Sequence, residues 1–156
     1  MLTMCAGDIF QDGAFAIVNP VNCEGVMGKG LALEFKKRYP DNYAAYKFAC
    51  EKNEVHPGTM FTVDGSRVVH GSIVSPQIVI NFPTKDHWRD NSRIKFIQSG
   101  LVDLETVITA RDIRSIAIPA LGCGLGGLSW TLVKPVIVRW AQRLPHVAVN
   151  LYSPAA

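Results

Sequence analysis

The chain has 156 residues, of which 48% are hydrophobic and 19% charged, and its formal net charge is +3. That length suits one globular domain with its own core, and a mild positive charge without a Lys/Arg block excludes a dedicated nucleic-acid arm while suiting an anionic ligand. No apolar run approaches the roughly 20 residues of a membrane span. Cys5, Cys23, Cys50 and Cys123 are too scattered for a structural zinc site, so neither metal nor cofactor is expected, and free thiols predict a reducing, cytoplasmic setting.

Residues 2 to 5 read as a short first strand and Gly7-Asp8-Ile9 as a turn, with Asp8 a turn or cap residue. The apolar run Phe15 to Val18 reads as a buried parallel strand that ends in Asn19 and Asn22, bracketing Pro20. Gly25, Gly28 and Gly30 follow, and from Gly30 the spacing of Leu31, Phe35 and Tyr39 predicts a helix. Lys36, Lys37 and Arg38 load its last turn in the sense the helix dipole favours, and Pro40 stops it. A strand that runs into a Gly-rich turn and then a helix start is how α/β proteins present backbone N–H groups to an anion. This stretch reads as a ligand site.

A second helix is expected over Tyr43 to Lys52, then a turn at His56-Pro57-Gly58. Met60 to Val63 running into Asp64-Gly65 suggests a hairpin with Arg67-Val68-Val69 as its return strand. Gln77 to Asn81 is apolar on both faces, hence a central strand, and it leads through Phe82-Pro83-Thr84 to Lys85. A lysine is thereby placed just past the C-terminal end of a buried strand, the edge at which open parallel sheets bind ligands. Asn91 or Ser92 is the expected cap of a long helix with apolar positions Ile94, Ile97, Leu101, Leu104 and Ile108. Ser115 to Pro119 is a further buried strand, and Leu121 to Leu128 is a second glycine loop. Ser129 is the expected cap of a last helix running through Leu144 and kinked by Pro135, and Val147 to Tyr152 completes the sheet. Alternating strands and helices predict a three-layer α/β/α domain over 1–156 with a mixed, mostly parallel central sheet.

Two glycine loops, each after a buried strand and each opening a helix, exceed what packing asks for; a pyrophosphate held between two helix N-termini would explain both, tight turns being the plainer alternative. Gly122-x-Gly124-x-x-Gly127 formally matches the dinucleotide fingerprint, but no acidic residue closes Val147 to Tyr152 to hold a ribose, and neither loop ends in the Gly-Lys-Ser/Thr of a P-loop.

Taken together, Gly7-Asp8-Ile9, Ile17-Val18-Asn19-Pro20-Val21-Asn22, Gly28-Lys29-Gly30, Asn81-Phe82-Pro83-Thr84-Lys85 and Gly122-Cys123-Gly124-Leu125 resemble the ordered motifs of a macrodomain along essentially the whole chain. The combination is most similar to the branch that holds the human terminal ADP-ribose glycohydrolase and the bacterial DNA ADP-ribosyl glycohydrolases, which serve as antitoxins. The resemblance implies ADP-ribose as ligand. Asp8 would then accept from the adenine amino group, with the Ile9 backbone N–H beside it. Asn22 would fix the distal ribose hydroxyls and take part in catalysis, with Asn19 supporting the strand end. Gly28, Lys29 and Gly30 would pass close to the distal ribose and diphosphate, with Thr84 beside them, and Gly122, Cys123, Gly124, Leu125 and Gly126 would wrap the diphosphate from the other side.

Lys85 would act at the anomeric carbon, either as a nucleophile on the opened sugar or by polarising the ribose. An amine attacks only as the free base, whereas a neighbouring diphosphate favours the ammonium, so both roles stay open. In the human relative an aspartate follows Gly-Cys-Gly-Leu; here that position is Gly126. This departure matches the DNA-directed members and equally permits a domain that only binds ADP-ribose. A DNA-linked substrate needs a groove for a single strand, and His87, Trp88 and Arg89, with Arg93 nearby, mix cations with an aromatic in the manner of strand-tracking surfaces; a solvated loop with Trp88 packed inward is the alternative. The resemblance thus implies a hydrolase that removes ADP-ribose from thymidine in single-stranded DNA, with a cognate ADP-ribosyltransferase toxin as partner, no membrane, and a place as N-terminal domain of a longer antitoxin. A module that only binds ADP-ribose, or a hydrolase of protein-linked or small-molecule ADP-ribose derivatives, is the alternative.

Overall fold

The computed structural model describes residues 1–65 and 67–155, with the backbone alone at 67–69 and 73. Its strands are β1 (Leu2–Cys5), β2 (Ala16–Val21), β3 (Phe61–Asp64), β4 (Arg67–Val69), β5 (Ser72–Val74), β6 (Ile78–Pro83), β7 (Ser115–Ile118) and β8 (Ala148–Tyr152). Its helices are α1 (Gly30–Arg38), α2 (Pro40–Glu51), α3 (Ile94–Ala110) and α4 (Trp130–Ala141). A six-stranded sheet runs β1-β8-β7-β2-β6-β3, parallel throughout except for β3, which is antiparallel to β6. No helix among the described residues is long and apolar enough to cross a membrane.

Period-two alternation of the central strands sends side chains to two separate cores. Ala16, Val18, Ile78, Ile80, Phe82, Ile116 and Ile118 face the layer of α3 and α4, where they meet Ile97, Leu101, Leu104, Ile108, Val133 and Ile137. Ile17, Val21, Val79 and Ala117 face the opposite layer, where Phe35 of α1 and Tyr46 and Ala49 of α2 are buried. The expected three-layer α/β/α arrangement and the apolar face of α3 are both present.

Several boundaries differ from the sequence reading. The strand expected to stop at Val18 continues as β2 to Val21 and includes Pro20. β2 pairs with β7 only at Ala16 and Ile17, and Val21 directs its carbonyl to the β6 side, so Pro20 directs its nitrogen to the side that β7 has already left and costs no ladder bond. Pro40 does end α1, but it also opens α2 three residues before Tyr43, because a first helical position needs no N–H.

The expected hairpin of Met60–Val63 with Arg67–Val69 is not formed. β3 adds to β6, and β4 turns back on β5 as a separate two-stranded ribbon through His70 and Gly71, both at positive φ. The His70-Gly71 pair supplies the turn chemistry that was credited to Asp64-Gly65. Neither Asn91 nor Ser92 caps α3. Arg93 stands at its N-cap without a side-chain bond, and Ser92 is drawn into the site described below. Ser129 occupies the N-cap of α4, also without a side-chain bond, and α4 ends at Ala141 rather than Leu144. Pro135 lies inside α4 and cannot supply the N–H that the Thr131 carbonyl would otherwise accept.

Gly100 marks where α3 meets the sheet. A Cβ there would stand 2.4 Å from Cζ of the fully buried Phe82. Gly100→Ala raises helix propensity by about 1 kcal/mol, but overpacking a rigid core typically costs about 1–3 kcal/mol. Urea unfolding should therefore show Gly100→Ala to be destabilised by up to roughly 2 kcal/mol, the difference between those two effects. A gain in stability would mean that Phe82 moves aside.

Candidate active site

Because five of the six strands run parallel, the segments that leave β1, β2, β6 and β7 all emerge at one edge of the sheet. Asp8, Asn22, Lys85 and the Gly122–Gly127 loop follow those four strands, so one edge collects every stretch singled out in the sequence.

The β2–β6 pairing does not stop where the strands do. The Thr84 N–H donates to the Val21 carbonyl (2.9 Å), and the Cys23 N–H donates to the Asp86 carbonyl (2.8 Å). The Cys23 thiol reaches the Lys85 carbonyl at 3.6 Å, and His87 Nε2 stands 3.2 Å from Glu24 Oε2. His87 Nδ1 accepts from the Arg89 N–H (3.0 Å), which leaves the Nε2 hydrogen to face Glu24. These contacts hold the two chain segments bearing Asn22 and Lys85 alongside each other. Lys85 is half-buried, and its ammonium makes no ion pair among the described residues.

Asn22 is buried and bonded through both ends of its amide. Its Oδ1 accepts from the N–H groups of Glu24 (2.9 Å) and Val26 (3.4 Å), and its Nδ2 donates to the Val26 carbonyl (2.8 Å). The hydroxyl of Tyr46, from α2, lies 2.8 Å from both Asn22 Oδ1 and the Asn22 carbonyl. The amide thus shapes the first glycine loop. Beneath it, Asn19 Nδ2 donates to Asn81 Oδ1 (3.1 Å), and Asn81 exchanges two bonds with Asn42 (2.9 and 3.2 Å). Asn19, Asn81 and Asn42 form a buried amide row across β2, β6 and α2. Tyr46 and Asn42 carried no signal in the sequence, where Tyr46 read as a position on an ordinary helix and Asn42 lay just before its expected start.

Gly28 and Gly30 lead into α1, with exposed Lys29 at the N-cap and no side-chain cap bond. Across the cleft, Leu125 of the second loop is 66% exposed, yet its Cδ1 comes within 3.3 Å of where a Cβ on Gly30 would stand, so the two glycine loops face each other. Gly126 has no room for a side chain. A Cβ there would lie 2.3 Å from Ser92 Oγ and 2.6 Å from the Gly122 carbonyl oxygen. The Ser92 N–H donates to the Gly126 carbonyl (2.9 Å), and the Ser92 hydroxyl donates to Thr84 Oγ1 (3.1 Å). Cys123 is half-buried and Gly124 exposed.

Asp8 caps a short 3-10 turn over Ile9–Gln11, its Oδ1 accepting from the Phe10 N–H at 2.9 Å, while the Ile9 N–H has no acceptor among the described residues. Phe10 rests edge-on against Phe35 of α1 at 4.9 Å, which ties this turn to the helix that follows the first glycine loop. Trp88 is 42% exposed and does not pack inward; its ring stacks with His87 (5.5 Å) and carries the Arg89 guanidinium at 4.6 Å. Arg93 is exposed with its guanidinium over Phe96.

The described residues contain no cluster of His, Cys, Asp and Glu that could hold a metal ion. Burial, reinforced by Asp86, Cys50 and Glu24, pushes the Cys23 thiol up to about 12, and burial also raises Cys50 and Cys123. The thiols nearest the cleft are therefore protonated at neutral pH and poor nucleophiles. At pH 8 iodoacetamide should label Cys23 in the native protein at least about tenfold more slowly than in the unfolded chain. Equal rates would show that the thiol is open and ionised.

The sequence profile of the Macro domain matches residues 18–137. Over 155 residues the chain is 46% identical to a protein of Mycobacterium tuberculosis named DNA ADP-ribosyl glycohydrolase, an alignment spanning 99% of this chain and 43% of that protein. The chain thus spans less than half the length of the curated relatives it matches. Among solved structures, the macrodomain of Mycobacterium tuberculosis DarG superposes with a TM-score of 0.93 at 46% identity, covering 99% of both chains. Thermosipho africanus DarTG in complex with ADP-ribose superposes with a TM-score of 0.90 at 36% identity, covering 98% of this chain and 41% of that one. With strand order, glycine loops and sequence profile in agreement, the chain belongs to the Macro domain family.

Proposed function

We propose that this domain is an ADP-ribosyl hydrolase that cleaves the N-glycosidic bond between ADP-ribose and thymidine in single-stranded DNA, and so reverses the mark left by a DNA-modifying toxin. The observation that carries the reading is Lys85: an amine with no carboxylate partner among the described residues, just past the C-terminal end of a central strand and beside the Asn22 loop, in a chain 46% identical to a DNA ADP-ribosyl glycohydrolase. ADP-ribose lies along the cleft between the two glycine loops. Its adenine meets Asp8 and the free Ile9 N–H, and its diphosphate takes the backbone N–H groups of Gly28–Gly30 and Gly122–Gly126, with Thr84 below. The distal ribose then comes to Lys85 over the loop that Asn22 shapes.

At that position Lys85 acts on the anomeric carbon. As the ammonium it donates to the ribose ring oxygen and so assists opening of the ring; as the free amine it adds to the anomeric carbon of the opened sugar, the base leaves with a proton, and water hydrolyses the resulting imine to return the amine and release ADP-ribose. The cognate partner is the transferase toxin that writes the mark; a Thermosipho africanus relative 37% identical over 163 residues is named a DNA ADP-ribosyl transferase-DNA ADP-ribosyl glycohydrolase fusion protein. His87, Trp88 and Arg89 form a surface stack of cation and aromatic beside Lys85, suited to hold a base of the DNA strand.

One observation favours a second reading, a module that binds ADP-ribose without turning it over. Gly126 offers no carboxylate to complete a two-residue mechanism, and its packing against Ser92 leaves no space for one.

Incubation with a thymidine-ADP-ribosylated oligonucleotide separates the two. The wild-type protein should release ADP-ribose, and Lys85→Ala should lose at least about 10³-fold in kcat, the scale on which a group acting directly on the reacting centre contributes. No release by the wild type, with ADP-ribose bound tightly in calorimetry, would select the binding module. Trp88→Ala should raise KM for the oligonucleotide by roughly fivefold or more, since stacking contributes about 1–3 kcal/mol per base, and leave hydrolysis of the ADP-ribosylated mononucleoside unchanged. Equal losses on both substrates would remove Trp88 from the DNA-binding surface.

A further inference from the structure

We propose that Ser92 is a positioning residue that sets the distance between the Lys85 amine and the diphosphate-binding loop. This inference rests on the hydrolase reading above and adds to it a residue that touches no part of the ligand.

Ser92 is buried, and a buried hydroxyl is costly unless it is bonded. Its hydroxyl donates to Thr84 Oγ1 (3.1 Å), itself buried, and the next N–H, that of Arg93, donates to the Thr84 carbonyl (3.3 Å). The segment from Lys85 to Asn91, which carries the amine and the His87-Trp88-Arg89 stack, is therefore a closed loop whose neck is tied at Thr84 and Ser92. The same serine faces the second glycine loop. Its N–H donates to the Gly126 carbonyl (2.9 Å), and its side chain fills the space where Cβ atoms on Gly126 and Gly122 would stand, at 2.3 Å and 3.0 Å. One residue thus fastens the amine-bearing loop and the diphosphate loop to each other, its hydroxyl bonded to Thr84 and its backbone N–H to Gly126, with its side chain packed against the second loop.

Such a fastener matters for chemistry more than for binding. The anomeric carbon and the diphosphate of ADP-ribose are joined by covalent bonds, so their separation is fixed. If the loop N–H groups hold the diphosphate, the amine meets the carbon only when the two loops keep a matching separation. A displacement of about 1 Å in a reacting pair is enough to cost up to about 10²-fold in rate. Binding, spread over many backbone N–H groups, survives such a displacement.

The variants Ser92→Ala, Thr84→Val and their combination test this. Ser92→Ala should lower kcat on the ADP-ribosylated oligonucleotide about tenfold while the calorimetric Kd for ADP-ribose changes less than about threefold, the signature of a contact that counts only in the transition state. Thr84→Val should lower kcat by a similar factor, and the kcat of the double variant should be no lower than that of the slower single, because both remove one shared bond; the binding readout is taken from Ser92→Ala alone. Wild-type kcat in Ser92→Ala, a loss of binding as large as the loss of kcat, or losses that multiply in the double variant would each overturn the proposal. If the wild-type protein turns over nothing, the hydrolase reading fails by itself, and the fastener is read by hydrogen exchange at residue 92 and Leu128, whose amides donate to Gly126 and Gly122. Exchange about tenfold faster in Ser92→Ala supports the fastener, and unchanged exchange overturns it.

Discussion

Everything at the cleft depends on the β2–β6 pairing continuing past the strands that begin it. Inside the sheet those two strands are joined in register from Ala16↔Ile78 to Val21↔Pro83. Beyond it, the Thr84 and Cys23 N–H groups extend the ladder, and an ordinary backbone interaction thereby fixes an amide and an amine beside each other. Each such bond contributes only about 0.5–1.5 kcal/mol net, but several in series leave the two loops little freedom to separate. Side chains then lock what the backbone aligns. The Tyr46 hydroxyl holds Asn22 from below, and Glu24 meets His87 from above.

The cleft stands on an unusually polar foundation for a sheet core. Asn19, Asn81, Asn42, Asn22, Thr84 and Ser92 are the buried polar residues of the described chain, and all of them lie under or beside the two glycine loops. Burying an amide without partners costs about 1–3 kcal/mol, so these groups persist as a network in which one amide serves the next. Apolar residues of the same size would pack as well but would not hold backbone N–H and C=O groups at set angles. The network trades some stability for placement, which a binding cleft needs and a plain sheet edge does not.

The architecture was legible because the signals that carry it are periodic. Runs apolar on both faces marked the central strands, and the three-and-four spacing of Ile94 to Ile108 marked α3. The stretches after β2, β6 and β7 could be assigned to one edge because parallel strands leave no alternative. Partners were harder to read. Asp64-Gly65 looks like hairpin chemistry, yet β3 finds β6, because the apolar Ile78–Pro83 strand offers a longer surface than the three-residue β4. Ser92 looks like a helix cap, because short polar residues before an apolar run usually are. Its true partners, Thr84 and Gly126, lie 8 and 34 positions away in the chain, and nothing local announces them. Asn22 was assigned from its motif to ligand hydroxyls. Its amide also shapes the loop, through the Glu24 and Val26 N–H groups and the Val26 carbonyl, a role the motif does not announce.

The central claim is geometric: a diphosphate lies between the two glycine loops and delivers the distal ribose to Lys85. A crystal structure of the protein with ADP-ribose measures this directly. The account predicts Lys85 Nζ roughly 3–4 Å from the anomeric carbon, near the separation from which reaction proceeds, with the diphosphate within hydrogen-bond reach of the Gly28–Gly30 and Gly122–Gly126 amides. A nucleotide seated in another cleft, or an Nζ that points into bulk water with the ribose elsewhere, would contradict it.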